Sequence, residues 1–389
     1  MTSSISIERN DSLLRLYIID IAIKLAVSPW ATGDYISTWG VLVNYACDGI
    51  LLGIVFVQLS KFPRVYLPII GIFLFTALTY AMSTFFFTDE SIISAMINHL
   101  KFFLPFMAVP TLVSLAAHSR LNINNLVFGL CILIIVLVIF GLATLPPSMN
   151  RLEKWLPTYF GGLHTTAYVS LMTCFALHAL WQHKLISTLM CWPPILFLSA
   201  MIMAGWGVRT ASLGFIVFIL GIMTSKWLFM NRPFVALFFP MGVGIVASVM
   251  PLLDFSGSID QVSSGRISMY IEKYHQLMRN DFPQWFIGNG YMSDLILTDI
   301  WWWEAKGAHS DFITFMVEGG IFYFGGFFAI IGCLFRAHPS LPEKLILVAM
   351  LWTSMFSNGA FSRPIAAYLL SVVFVVYYYN RPRNNPNAQ

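Results

Sequence analysis

The sequence predicts an all-α polytopic integral membrane protein, with about twelve transmembrane helices and one large extramembrane loop containing short helices. Three observations lead there. Hydrophobic residues make up 58% of the 389 and charged residues only 10%, with a mean hydropathy of +0.75. So few charges would not cover the surface of a soluble protein of this length. Apolar runs of about 20 residues recur along the chain, the length that crosses a bilayer as a helix. Late in the chain one long polar stretch, Asp254 to His309, interrupts them.

Hydropathy places the spans at 13–30, 38–59, 65–87, 92–117, 125–146, 161–181, 185–204, 211–229, 233–253, 310–335, 344–358 and 364–380. The first carries Asp20 and Lys24, and the eleventh is short. Lys24 and Lys101 interrupt spans; each marks a polar cavity or snorkels from a shifted helix. Before the first span, Met1 to Asp11 is polar, and no small-residue cleavage site follows that span, so no cleavable signal peptide is expected. The five cysteines, Cys47, Cys131, Cys174, Cys191 and Cys333, all fall inside spans, which suggests neither a disulfide framework nor a cysteine metal site.

Lysine and arginine in the connections set the orientation. Arg9, Arg15, Lys61, Arg64, Arg120, Lys184, Lys226, Arg232, Arg336, Lys344, Arg381 and Arg383 share one side if the N-terminus is inside. The short loops of the other side hold Arg151, Lys154, Arg209 and Arg363. The positive-inside rule therefore puts both termini in the cytoplasm and the 254–309 loop outside. This topology accounts for the net charge of +4 without a nucleic-acid partner. No repeat is evident, so the expectation is a single membrane domain, 1–389, with 254–309 as a loop subdomain between spans nine and ten. The Asn- and Pro-rich tail after Asn380 reads as unstructured.

Within the loop, Ile267, Tyr270, Ile271, Tyr274, Leu277 and Met278 recur at helical spacing, with Glu272, Lys273, Gln276 and Arg279 on the other face. This predicts a short amphipathic helix along the membrane surface or over the bundle. Ser263 and Ser264 can supply its N-cap, and Asn280-Asp281-Phe282-Pro283 stops it. The following Phe286-Ile287-Gly288-Asn289-Gly290-Tyr291 reads as a tight turn, since no strand precedes its Gly-x-Gly as a phosphate-binding fingerprint requires. Trp301-Trp302-Trp303 reads as an interfacial anchor or as a platform for sugar rings or lipid. His309 closes the loop at the start of the tenth span. There Ser310 or Asp311 is placed to cap the helix, whose opening N–H groups suit an anion.

Arg209, Arg266, Arg363 and Arg151 stand at helix ends on the outer side. Any one of them reads as snorkelling to the headgroups. A set of guanidinium groups on one face beside a histidine reads as a site for an anionic ligand, because guanidinium pairs with phosphate in a bidentate way and stays charged. A lipid diphosphate is the natural candidate.

These residues resemble the O-antigen ligase and polymerase superfamily of bacterial envelope glycosyltransferases. The resemblance rests on Gly265-Arg266 followed by an amphipathic helix, on His309-Ser310-Asp311 followed by Glu318-Gly319, on Arg209-Thr210 between spans seven and eight, and on Arg363-Pro364 before the last span. It is carried by the second half of the chain, and by topology alone in the first. The resemblance implies a multi-pass protein of the bacterial inner membrane with its active site at the periplasmic face. Its donor would be an undecaprenyl-diphosphate-linked glycan. Its acceptor would be a glycolipid, either a second lipid-linked repeat unit (polymerase) or lipid A–core (ligase). Arg209 and Arg266 would hold the donor diphosphate and His309 would be the base or acceptor-orienting group. Arg363 and Arg151 would be further phosphate contacts, with Ser310 and Asp311 also lining the substrate site. Glu318 would orient a partner or simply satisfy its helix. No cluster has metal-ligand spacing, and the reading requires neither a metal nor another cofactor. The His-Ser-Asp run tilts the reading toward polymerase. A flippase for lipid-linked sugar would call for pseudo-symmetric halves with a midplane site, and matching halves are not evident.

Overall fold

The structure, a computed structural model, describes residues 2–32, 35–150, 153–223, 266–297 and 304–381. The expected span at 233–253, the end of that at 211–229, Ser263 to Gly265, Arg151, Trp301-Trp302-Trp303 and the tail from 382 lie outside the described residues. Regular structure among those described is helical apart from one short antiparallel hairpin, β1 (Ser148–Asn150) with β2 (Glu153–Trp155). The helices are α1 (Thr2–Ala31), α2 (Thr38–Gln58), α3 (Leu67–Phe87), α4 (Ile92–Ala117), α5 (Ile123–Thr144), α6 (Leu163–Gln182) and α7 (Thr188–Ala200). They continue with α8 (Arg209–Met223), α9 (Arg266–Met278), α10 (Phe282–Ile287), α11 (Asp311–Ala337), α12 (Leu341–Phe356) and α13 (Pro364–Tyr379). Apart from 233–253 and the end of 211–229, every expected span falls on a helix.

Six helices among the described residues are long and apolar enough to cross a membrane: Thr38–Lys61, Arg64–Phe87, Ile92–Ala117, Ile123–Thr144, Thr188–Gly205 and Asp311–Ala337. Their surfaces fit lipid better than water. On α3 the inward residues include Thr76, Thr79, Ser83 and Thr84, while Leu74, Leu78, Phe85 and Phe86 are exposed. A helix in water would reverse that pattern. In lipid, hydroxyls gain by facing other helices, where backbone carbonyls accept their protons. Thr76 and Thr84 do this, donating to Ile72 and Tyr80 carbonyls at 2.8 Å.

The chain divides into two compact units. One comprises Met1–Leu67, Leu104–Ile219 and Arg363–Gln389; the other comprises Pro68–Phe103 and Leu220–Ser362. In the first unit α6 is buried along nearly its whole length and packs on α5, α7 and α13. Its Thr165, Thr166, Ser170, Thr173 and His178 lower its hydropathy, yet all are buried in protein rather than set against lipid. Tyr168 there shares a 2.7 Å hydrogen bond with Thr210 of α8. The helix α1 begins well before the expected 13–30, and two polar residues ahead of that span are anchored. Lys61 donates to Asn10 at 2.9 Å, and Asp11 accepts from the Ser119 hydroxyl at 2.5 Å and the Arg120 amide at 2.8 Å. These donors hold the Asp11 carboxyl below its usual range, the Ser119 hydroxyl first and the Arg120 amide next.

In the second unit α11 is broken. Gly320 leaves the helical conformation at φ 65°, ψ −166°, which frees carbonyls one turn earlier. The segment after α10 fills the gap. Asn289 donates its amide to Val317 O at 2.8 Å, and Gly290 donates to Glu318 O at 2.9 Å. A Cβ on Gly288, where φ is 81°, would stand 2.3 Å from Glu318 O. The Gly-x-Gly is thus more than the tight turn expected: it is the backbone that docks into a discontinuous helix.

Candidate functional site

The residues that hold the second unit's loop converge on Asp294. Its carboxylate is 3% exposed, and one oxygen, Oδ2, accepts from the Ala308 amide at 2.9 Å and the Thr314 hydroxyl at 2.7 Å. The other, Oδ1, pairs with Lys273 Nζ at 3.0 Å, and Lys273 also donates to the Asp294 carbonyl. Lys273 is wholly buried on α9, and burial pulls its ammonium below the usual lysine range while Asp294 pushes back. A second strap, Gln276 Nε2 to Ser293 O at 2.8 Å, binds the same helix to the same loop. One carboxylate therefore joins three elements: α9, the loop before α11, and the first turn of α11 itself.

The face of α9 differs from the expected one. Lys273, assigned by spacing to the polar side, is buried next to Met269, whereas Tyr274 and Met278 are exposed. The ion pair explains the inversion, since a lysine with a fixed carboxylate 21 residues later is drawn inward with its apolar stem. Nothing in the local spacing signals that partner.

His309 follows Ala308 at φ 51°, a left-handed conformation uncommon outside glycine, and it is exposed. Both of its neighbours, Ala308 and Ser310, are buried. Ser310 stands at the N-cap position of α11, but its hydroxyl donates to Met355 O at 2.8 Å instead of capping the helix. Asp311 donates its amide to Ser357 O at 3.3 Å and accepts from the Gly359 amide at 3.0 Å. The expected side-chain cap is therefore absent. The two residues tie the His309 turn to the last turn of α12 and to the loop after it.

Arg266 opens α9, the helix that Lys273 clamps to the loop. In the other unit, Arg209 is exposed and opens α8 directly after the turn on which β2 leads in: Leu156 donates to Gly205 O at 3.2 Å and Trp206 Nε1 donates to Pro157 O at 3.1 Å. Arg363 is the N-cap residue of α13, half-buried, with its Nε buried and without a hydrogen-bond partner among the described residues. Arg151 lies outside the described residues, between β1 and β2. The structure thus joins Arg266, His309, Ser310 and Asp311 in one unit, and sets Arg209 and Arg363 at the heads of helices in the other.

Glu318 sits at the break in α11 and is 9% exposed. Tyr80 of α3 donates to its Oε2 at 2.5 Å, and Asn98 of α4 donates to the Tyr80 oxygen at 3.4 Å. Tyr80 lies in an aromatic nest with Tyr323, Tyr291 and His99, and His99 stacks on Phe103 with centroids 4.5 Å apart. The side-chain partner of Glu318 is thus Tyr80 of another helix, not its own α11. Asp294, Tyr80 and Asn98 were not picked out by sequence, and Lys273 only as a polar-face residue; their partners lie 14 to 238 residues away, beyond any local pattern.

No protein-family model matches this chain, and no curated protein matches it. Among the described residues no cluster of His, Cys, Asp and Glu could hold a metal ion.

Proposed function

We propose that this chain is a membrane glycosyltransferase of the bacterial inner membrane, related to the O-antigen polymerases and ligases. In this reading it has about twelve spans, with both termini cytoplasmic and the 254–309 loop periplasmic. It takes its donor glycan from undecaprenyl diphosphate and transfers it to a second lipid-linked repeat unit. A hydroxyl of the acceptor attacks the anomeric carbon, and the bond from that carbon to the diphosphate oxygen breaks. Undecaprenyl diphosphate leaves with the bonding pair, and the hydroxyl proton passes to His309. Arg209 and Arg266 meet the negative charge that gathers on the departing diphosphate, where fixed guanidinium groups act better than mobile water. Arg363 and Arg151 extend that contact, while Ser310 and Asp311 hold the histidine turn in place.

One observation carries the reading. The buried Lys273–Asp294 pair fastens the helix that Arg266 opens to the turn that exposes His309. Arg363 adds a buried Nε donor at the head of α13, without an acceptor among the described residues.

The test is a purified-enzyme assay with an undecaprenyl-diphosphate-linked repeat unit alone. A ladder of product lengths supports the polymerase. Transfer of a single length only when lipid A–core is added makes the chain a ligase. Uptake of the lipid-linked sugar into vesicles without any new glycosidic bond makes it a flippase and ends the proposal. Arg209→Lys or Arg266→Lys is expected to lower turnover strongly, since a point charge does not reproduce a bidentate contact. His309→Ala is expected to abolish it.

A further inference from the structure

The first unit holds a buried set of ionisable side chains that the transfer reaction leaves unused. Lys24 of α1 is 2% exposed. Its Nζ donates to Asn44 Oδ1 at 2.7 Å and pairs with Asp48 Oδ1 at 2.8 Å, both on α2. Tyr368 of α13 donates to the same Asp48 oxygen at 2.9 Å, and its ring lies 5.4 Å from the Lys24 nitrogen. This ammonium, carboxylate, amide and phenol form a neutral, mutually satisfied group. It answers the question left open by the sequence: Lys24 marks a polar cluster between helices.

One turn earlier on α1, Asp20 is equally buried, at 2% exposure. Both of its carboxylate oxygens are buried and without a hydrogen-bond partner among the described residues. The Cys47 thiol, a weak donor, lies beside it. The groups that face it are Tyr17 and Lys24 on α1, Cys47 and Asp48 on α2, and Tyr368 on α13. Tyr17 is engaged with Ser371 at 2.7 Å, and Lys24 and Tyr368 with Asp48. The helix α5, which also packs on α1, carries no charged residue. The set therefore contains two carboxylates and one ammonium. A carboxylate charge left over in an apolar helix bundle is not tolerated without a counter-charge.

We propose that Asp20 is the binding site of one exchangeable monovalent cation, a proton or a sodium ion. The occupant completes the charge balance of the Asp20–Lys24–Asp48 set. Because α1 packs on α2, α5 and α13, loading and unloading Asp20 changes the charge at the centre of that helix group. The site is independent of the glycosyltransferase reading, since none of its residues is among those assigned to the donor or the acceptor.

The test uses the full chain in liposomes and dicyclohexylcarbodiimide, which modifies protonated carboxyl groups in apolar surroundings, with the modified residue mapped by peptide mass spectrometry. Modification of Asp20 and not Asp48 is expected. In choline buffer, a rate that falls as pH rises identifies a proton as the occupant. Protection by sodium chloride, but not by choline chloride at equal ionic strength, identifies sodium. Thermal melting supplies the second measurement. Asp20→Asn is expected to keep the wild-type melting temperature while losing its dependence on pH or sodium, whereas Asp48→Asn melts well below wild type. The proposal is overturned if Asp20→Asn melts as low as Asp48→Asn, for Asp20 would then be a fixed counter-charge. It is also overturned if neither labelling nor melting responds to pH or sodium in a way that Asp20→Asn removes.

Discussion

Asp294→Ala is the substitution whose consequence can be worked most fully from the geometry. It strips the counter-charge from Lys273, which is wholly buried, and removing one partner of a buried pair destabilises by about 3–5 kcal/mol. It also takes the acceptor from the Ala308 amide and the Thr314 hydroxyl, bonded at 2.9 and 2.7 Å, adding about 1 kcal/mol or more. Lys273 already sits below the ordinary lysine range through burial, and losing Asp294 lowers it further. The sign follows from proton counting. The unfolded chain then binds the proton more tightly than the folded one, so stability rises with pH and the variant's deficit narrows toward alkaline conditions. The double variant Lys273→Met/Asp294→Asn replaces both charges with groups of similar volume and is expected within about 1–2 kcal/mol of wild type. Thermal melting of the full chain in detergent at several pH values measures all of this, with hydrogen exchange across 304–311 reporting on the His309 turn. Melting of Asp294→Ala at the wild-type temperature would refute the reasoning, and so would a double variant equal to the sum of the two single ones.

Three other substitutions probe the frame around the site. Gly288→Ala places a methyl group 2.3 Å from Glu318 O at a positive φ and should destabilise by about 1–3 kcal/mol, whereas Gly325→Ala, with open space around it, should be near neutral; a melting comparison separates them. Tyr80→Phe removes the 2.5 Å donor to the Glu318 carboxyl and should destabilise by about 1–3 kcal/mol, a loss that the same melting assay reads. The Asp11 carboxyl is held below 3.8 in the folded chain, so its contribution is present above that value and is lost as pH falls through the lower folded value. Asp11→Asn should therefore abolish an acid-induced rise in hydrogen exchange at 118–121, and a rise that persists in the variant would have another origin.

Helix positions were legible because hydropathy and length are local properties. For α5, the expected 125–146 and the observed Ile123–Thr144 differ by two residues at each end: Asn122 caps the helix early, accepting from the Asn124 and Asn125 amides, and Leu145 turns extended ahead of Pro146. What escaped the sequence are pairings set by tertiary structure. Lys273 reads as a solvated charge until Asp294 is known to lie opposite, and Asp294 reads as a loop aspartate until Ala308 and Thr314 are seen to donate to it. The Gly288–Gly290 turn was legible as a turn. Its docking into α11 was not, since that depends on where the second glycine pair, Gly319-Gly320, breaks a distant helix. The arginines were legible as helix-end residues, and α8 and α13 do begin at or beside Arg209 and Arg363.

The conformation of His309 bears on which role that residue plays. A non-glycine residue at φ 51° carries a conformational cost of about 1–2 kcal/mol that the surroundings must outweigh. They are built to do so. On one side Asp294 fixes the Ala308 amide; on the other Ser310 and Asp311 bond to Met355, Ser357 and Gly359. A turn needed only to start α11 would be relieved by glycine at this position, yet a histidine stands here with its side chain exposed. Buried polar contacts on both flanks fix the backbone that carries this exposed side chain; under the proposed transfer reaction, that would spare the base an ordering step before it meets the acceptor hydroxyl. The same contacts make Asp294 one link by which a displacement of α9, and with it Arg266, would reach the histidine turn.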